Sequence, residues 1–327
     1  MPANTLAVPN VVRVAEDVQD RIYNFSPMDT PLVSMIERMN VNNVFHEWTR
    51  DTYRTANAAN AAIEGADATI AAQAQPTPLN NRTQIFQDTF GISGTTEAVK
   101  KYGRASEAKR LKAKKMLEIR KDQELACIAS GAAVTGVANT TAGRLRGLYG
   151  FLTKGTLGVG GVAPNPVTNT APTAGTLAPL TEANFKTCIQ SCYDNGGDAS
   201  IALVSSSHKS RISTVFTGNA TRFADVTGKS TDVQLNSAFH FYGHDFGVTK
   251  VVPNRVMSVA GAGSVNTDYI IDPDKLALGV LRPYQTTELG IKGDSQEYQV
   301  LTEVTLIVRD EAPMRSEERR VGKECLR

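Results

Sequence analysis

Thr83-Gln-Ile-Phe-Gln-Asp-Thr-Phe-Gly-Ile-Ser93 alternates polar and apolar residues, then runs through Gly94-Thr95-Thr96 into a long basic segment. Alternation with a period of two marks a strand with one covered face. The pattern beyond it predicts a single helix over about 97–130, far longer than the usual 11–12 or so residues. No catalytic or phosphate-binding signature interrupts either element. Residues 98–124 carry ten Lys/Arg against four Asp/Glu, a local net charge of +6. Val99, Tyr102, Ala105, Ala113, Met116 and Leu117 share one helical stripe, interrupted by Lys109 and Arg120, while Leu111, Ile119 and Leu125 lie off it. A helix apolar on more than one side touches more than one layer, and the second layer can be a neighbouring subunit. Such a rod suits a structural element better than a substrate cradle.

Upstream, 1–40 reads as an arm. A short amphipathic helix fits 11–24, Ser26-Pro27 and Thr30-Pro31 break the chain, and 32–39 forms a second helical piece with Leu32, Met35, Ile36 and Met39 on one stripe. Residues 41–53 alternate as a strand, with Val44, His46 and Trp48 on one side and Phe45 and Glu47 on the other. The stretch 55–78 is rich in Ala, Asn, Thr and Gln and too poor in bulky residues to bury a core of its own. With the strand from Thr83 returning alongside 41–53, the whole reads as an extended hairpin with a long exposed tip.

Downstream, 131–161 is rich in Gly, Ala and Thr, with a short apolar piece at Leu148-Tyr-Gly-Phe-Leu152. Residues 162–177 form a Pro/Thr/Asn/Ala loop that marks the main domain boundary. A compact α/β pattern follows. Thr181 caps a helix over 182–194 that stops at Gly196-Gly197, and a strand covers 200–204. Ser205-Ser-Ser207 caps a helix over 208–216, and strands follow at 238–242, 248–252, 269–271 and 276–281. The last strand, 297–309, has Val300, Val304, Leu306 and Val308 on one face and Leu301 and Ile307 on the other, so both faces are covered.

The 327 residues suffice for roughly two domains. Hydrophobic residues at 41% and charged residues at 21% are ordinary for a folded chain, and a formal net charge of +2 demands no polyanionic partner. No apolar run approaches the roughly 18 residues of a membrane span, and the first ten residues carry no secretory signal. Cys127, Cys188, Cys192 and Cys325 are too few for a disulfide framework and point to a reducing compartment; Cys188 and Cys192 read as buried small hydrophobes rather than a redox or metal pair.

The chemistry-bearing combinations are weak. His240, His244 and Asp245 have helical metal spacing but sit on strand and turn, where side chains four apart do not converge. Ser205-Ser-Ser-His208 lacks a nucleophile elbow and reads as a helix cap. Gly155-x-x-Gly158-x-Gly160-Gly161 has no following Lys-Ser/Thr, and Asp272-Pro-Asp274 is a turn. The chain is expected not to be an enzyme, with no catalytic, cofactor-binding or metal residue and no cofactor. The basic helix reads as a solvated or subunit-contacting face, with sequence-independent contact to phosphate backbones as the alternative.

Phe45-His-Glu-Trp48, Glu64-Gly-Ala-Asp67, Asn81-Arg-Thr-Gln-Ile-Phe86, Ser93-Gly-Thr-Thr-Glu-Ala-Val99, Val248-Thr-Lys-Val-Val-Pro-Asn-Arg255, Asp272-Pro-Asp274 and Leu281-Arg-Pro283 occur in this order. Together they resemble the major capsid proteins of tailed phages, the Hong Kong 97 type, over about residues 14–313. The resemblance implies an α+β fold with an N-terminal arm (1–40), an extended β-hairpin loop (41–95), a peripheral domain with a long spine helix and linker (96–180), an α/β axial domain (181–265) and strands returning to the peripheral domain (266–314). It further implies a structural subunit of an icosahedral capsid, forming hexamers and pentamers around double-stranded DNA in a virion assembled in the host cytoplasm. An encapsulin-like compartment shell is the alternative. Expected partners are other copies of the chain, a portal, scaffold or decoration proteins, and packaged DNA contacted non-specifically, with no membrane. Arg315-Ser-Glu-Glu-Arg-Arg-Val-Gly-Lys-Glu-Cys325 resembles a reading frame of a sequencing adapter, so 315–327 is expected to lie outside the native protein; a genuine charged tail is the alternative.

Overall fold

The computed structural model describes residues 29–65, 67, 70, 72–101, 105–153, 160–176, 178–215, 241–258, 266–311 and 314–320. The helix expected over 11–24, the glycines 155 and 158 and Cys325 lie outside them. Helix α1 (Pro31–Met35) leads into β1 (Glu37–Asn40), β2 (Phe45–Arg50), β3 (Thr77–Arg82) and β4 (Gln84–Ser93). The helical piece expected over 32–39 therefore stops halfway. Its second half is a strand because Glu37–Asn40 pairs in parallel with the start of β10 (Leu276–Glu288). Strand β10 pairs antiparallel with β11 (Ser295–Val308), and β11 with β4, giving a four-stranded sheet of order β1-β10-β11-β4. The second half of β11 buries residues of both faces, Val304, Leu306 and Val308 on one and Ile307 on the other.

The single long helix of the sequence divides in two. Helix α2 (Gly94–Ala98) is capped by Ser93, whose hydroxyl accepts from the Thr96 amide, and α3 (Glu107–Ala129) is capped by Ser106, which accepts from Lys109. A serine hydroxyl satisfies an otherwise orphaned amide at a helix start, and the glycine upstream of Ser106 lowers helix propensity there, so a new helix begins at 107. At 23 residues α3 is still the longest helix among those described. Its buried face is also not the expected stripe: Ile119, Gln123, Cys127 and Ile128 point inward, and Leu117 is 39% exposed.

The hairpin is differently paired as well. Strand β2 runs against β3, in register from Phe45–Arg82 to Arg50–Thr77, while the strand that returns from Thr83 pairs with β11 instead. Only backbone pairing distinguishes these two partners, and alternation does not report it.

The Gly/Ala/Thr-rich stretch after α3 is more ordered than its composition suggests. Bridges between Val134 and Arg144, and between Val162 and Thr173, make two small antiparallel turns, with Asn139 and Asn169 in the left-handed region that asparagine tolerates. Arg146 is 1% exposed. Its guanidinium donates to Pro166 O at 2.8 Å and Asn169 Oδ1 at 2.6 Å and lies 4.8 Å over the Phe151 ring. Burial lowers its pKa to about 10. Helix α4 (Leu148–Phe151) presses on the end of α3 so closely that a Cβ at Gly150 would overlap the Gly131 carbonyl.

The second layer holds β5 (Ala178–Pro179), α5 (Glu182–Asp194), β6 (Ile201–Val204), α6 (Ser206–Val215), β7 (Phe241–His244), β8 (Gly247–Pro253), β9 (Thr267–Ile271) and β12 (Arg315–Arg320). Their sheet has the order β5-β12-β9-β6-β8-β7. Thr181 caps α5 as expected, accepting from Asn184, and Gly196 turns the chain with φ of 78°. Phe185, Cys188, Ile189 and Cys192 on α5 pack on Ala202, Val204, Val251 and Ile270. Thr267–Ile271 thus belongs to this sheet, and the return to the four-stranded sheet begins at Leu276. Residues 315–320, expected outside the fold, occupy a strand position against β9, and Arg315 reaches the Ser191 carbonyl and hydroxyl on α5. Strand pairing uses main-chain groups alone, so many extended segments would fill that edge.

Candidate assembly surfaces

The residues weighed for chemistry are placed where they build the fold. Ser205 Oγ accepts from the His208 amide at 3.4 Å as a helix cap, and His208 Nδ1 lies 2.8 Å from Asp268 with both side chains wholly buried. No substrate reaches an imidazole sealed in this way. His244 Nε2 lies 3.1 Å from Thr249 Oγ1, and burial pushes its pKa down; His240 lies outside the described residues. Asp272 caps the turn at Pro273–Lys275 through the Asp274 amide. Cys188 and Cys192 are buried, and burial raises the Cys192 thiol to about 12, so it stays protonated. Among the described residues no group of His, Cys, Asp and Glu could hold a metal ion, and no helix is long and apolar enough to cross a membrane.

What the molecule offers instead is surface held on rigid supports. The β2–β3 hairpin is clamped at its base. Trp48 Nε1 donates to Val308 O at 2.8 Å, and Arg50 pairs with Glu311. The buried Asn81 amide donates to Leu306 O at 2.7 Å and to Arg146 O at 2.9 Å, while its oxygen accepts from the Arg146 amide. Beyond the clamp, every described residue from 51 to 76 is exposed. Tyr53, Ile63 and Ile70 are 103%, 82% and 96% exposed, so the described residues leave three large apolar side chains largely uncovered.

A second surface is the outer side of α3, where Lys109, Lys112, Ala113 and Leu117 are exposed at helical spacing. A third lies at the far edge of the six-stranded sheet, on the edge strand β7 and its hairpin partner β8. There Tyr193, Phe241, Phe246 and Val248 are exposed, and the Tyr193 and Phe246 rings stack with centroids 4.6 Å apart. An edge strand beside a contiguous apolar patch is a template for another chain.

One buried carboxylate joins the layers between these surfaces. Glu124 on α3 accepts from the Leu32 amide at 2.9 Å and the Val33 amide at 2.8 Å at the start of α1, and from Asn254 Nδ2 at 2.6 Å after β8. Burial raises its pKa, and these three donors oppose the rise. Sequence reasoning missed Glu124 and Arg146, and met Asn81 only as part of a family word without its clamping role, because a buried polar residue carries no local pattern. It missed the aromatic edge because Tyr193 and Phe246 come from separate elements.

The SU10 major capsid protein family matches residues 2–315. The major capsid protein of Escherichia phage Phieco32 is 26% identical over 317 residues, covering 86% of this chain and 87% of the relative. Among solved structures, the capsid of a native GTA particle superposes with a TM-score of 0.64 at 13% identity, over 98% of this chain and 100% of that one. The capsid of cyanophage A-1(L) gives 0.63 at 14% identity, over 93% and 96%. These two likenesses carry the fold, the Hong Kong 97 type expected from the sequence.

Proposed function

Because the chain belongs to the SU10 major capsid protein family, whose members are structural subunits of phage capsids, we propose that its copies meet as hexamers and pentamers and close an icosahedral shell around double-stranded DNA. The observation that carries this reading is the clamped hairpin. Its base is fixed by buried hydrogen bonds, and its arm presents Tyr53, Ile63 and Ile70 to solvent. A lone subunit gains nothing from such an arm; a lattice covers it in every copy. Interfaces of modest area, repeated with several neighbours, hold a shell through their number, and closed symmetry removes the free edges.

In this reading 1–40 is the arm, 41–95 the hairpin loop reaching a neighbour, although its β4 portion stays in the four-stranded sheet, 96–180 the peripheral domain, 181–265 the axial domain, joined by β9, and 266–314 the return, whose strands in the four-stranded sheet start at Leu276. Residues 315–327 are read as the adapter-derived tail. Portal, scaffold and decoration proteins are the other partners, packaged DNA is touched without sequence preference, and assembly takes place in the host cytoplasm. Structural work needs no catalytic residue, cofactor or metal, and none is assigned. A phage capsid family disfavours the encapsulin-like compartment. Particle contents test the choice. Virions built from this chain should hold nuclease-protected double-stranded DNA; particles filled with protein cargo and free of nucleic acid would overturn the reading.

A further inference from the structure

The tight turn that joins β7 to β8 is held by one imidazole. His244 pairs with Gly247, so Asp245 and Phe246 alone form the loop. Two-residue hairpin loops match the twist of their strands when their central residues take positive φ. Asp245 and Phe246 do not: among the described residues only Asn139 and Asn169 have positive φ without being glycine. The turn therefore leans on side-chain support, and His244 supplies it. Its Nδ1 accepts from the Phe246 amide at 3.2 Å. Its Nε2 lies 3.1 Å from Thr249 Oγ1, whose single proton goes to the Ala199 carbonyl at 2.5 Å. Toward the ring Thr249 can only accept, so Nε2 carries the hydrogen and Nδ1 the lone pair. The two contacts together fix the neutral ring. The same ring stands between Tyr242, 6.2 Å away, and Phe246, 6.1 Å away, and Phe246 stacks on Tyr193 of α5 at 4.6 Å.

We propose that His244 is an acid-sensitive latch: a proton taken at Nδ1 turns the acceptor into a donor, frees the Phe246 amide and opens the β7–β8 turn. Protonation sets one N–H against another, a conflict relieved only when the turn moves. Phe246 then leaves Tyr193, so the aromatic face at the sheet edge keeps its shape only while the imidazole is neutral. Among the described residues Asp245, beside the ring in the turn, is the charged group that acts on it, and it favours the charged form. Burial acts the other way and is the larger effect, so the pKa lies below the ordinary histidine value. From α5 the neighbours are Tyr193 and, behind the Tyr242 hydroxyl, Glu182 with its partner Lys186. From β8 and the approach to β6 they are the uncharged Thr249 and Ala199. The unfolded chain binds the proton more readily than the folded turn does, so the latch stabilises the turn above the ordinary value and opens as pH falls through the lowered one. The device belongs to the single subunit and does not depend on the shell reading.

Hydrogen exchange at the Phe246 amide of the unassembled subunit, corrected for the intrinsic pH dependence of exchange, tests the latch. Between about pH 7.5 and about pH 5, protection should fall by about threefold or more, the effect of losing one hydrogen bond of this kind. The titration of the His244 ring, followed by NMR, should share that midpoint, below the ordinary ~6.5. His244→Asn keeps an acceptor oxygen for the Phe246 amide and cannot titrate in this range, so its protection should stay flat over the same interval. Wild-type protection that does not change as the ring titrates would overturn the latch. So would an H244N variant that loses protection at the wild-type midpoint, because the proton would then be taken elsewhere. If H244N is unprotected at every pH, the wild-type comparison decides: coincident midpoints for ring and amide support the latch, and midpoints more than about one pH unit apart overturn it.

Discussion

Removing residues 55–76 and bridging the gap with a short glycine-serine turn leaves a folded subunit that forms no closed shells. The cut spares the clamp, because Thr77 and Pro78 belong to β3 and pair with Arg50 and Thr49. Every described residue removed is exposed, so no core contact is lost. Shortening a loop of this size changes closure entropy by only about 1 kcal/mol, in the favourable direction. Thermal melts of the unassembled variant should therefore match wild type within a few degrees. Sedimentation should show the shell peak abolished, since every copy in a lattice loses the same contact at once. Shells of normal yield and size from this deletion would show that the hairpin tip carries no lattice contact.

Loss of the Glu124 carboxylate should be the most damaging single substitution. Glu124→Ala leaves two α1 amides and the Asn254 amide without their acceptor in a site shielded from water. Each buried donor left unsatisfied costs ~1–3 kcal/mol, so the variant should lose at least ~3 kcal/mol of unfolding free energy. That is a large fraction of the 5–15 or so kcal/mol typical of a folded protein. Denaturant melts of unassembled protein measure it, and a loss below about 1 kcal/mol would show that water reaches the donors. The consequence is also directional. Glu124 is the shared acceptor that ties the segment following the arm to α3 and to the end of β8, so the variant should release α1 to proteolysis first. A pH signature accompanies this. Glu124 has its pKa raised by burial, so between the ordinary glutamate value and the raised one the folded state binds more protons than the unfolded state. Its contribution to stability therefore grows as pH falls through that window and is lost as pH rises above it, a slope that Glu124→Ala should lack.

Much of this was legible in the sequence. The period-two alternation of 84–93 and the doubly apolar 297–309 announced two long strands, though not that they pair with each other, and Thr181 and Gly196 bracketed α5 by capping chemistry alone. The family words then supplied the assembly, which no periodicity contains. Where sequence reasoning failed, the cause was tertiary. Ser106 restarts the helix at a point where the apolar pattern runs on, and β4 pairs with β11, more than two hundred residues away, rather than with β2 beside it. Residues 37–40 become strand only because β10 offers an edge. The exposed surfaces were half legible: the poor composition of 55–76 marked it as uncovered, but the outward side of α3 depends on which side the sheet takes.

The central claim is that copies of this chain complete one another's surfaces. Negative-stain microscopy of the purified chain at high concentration, alongside the same chain lacking 55–76, tests it most directly. Closed particles of uniform diameter from the full hairpin, and none from the deletion, are the expected result. Both proteins remaining as isolated subunits, with Tyr53, Ile63 and Ile70 indifferent to the presence of other copies, would contradict it.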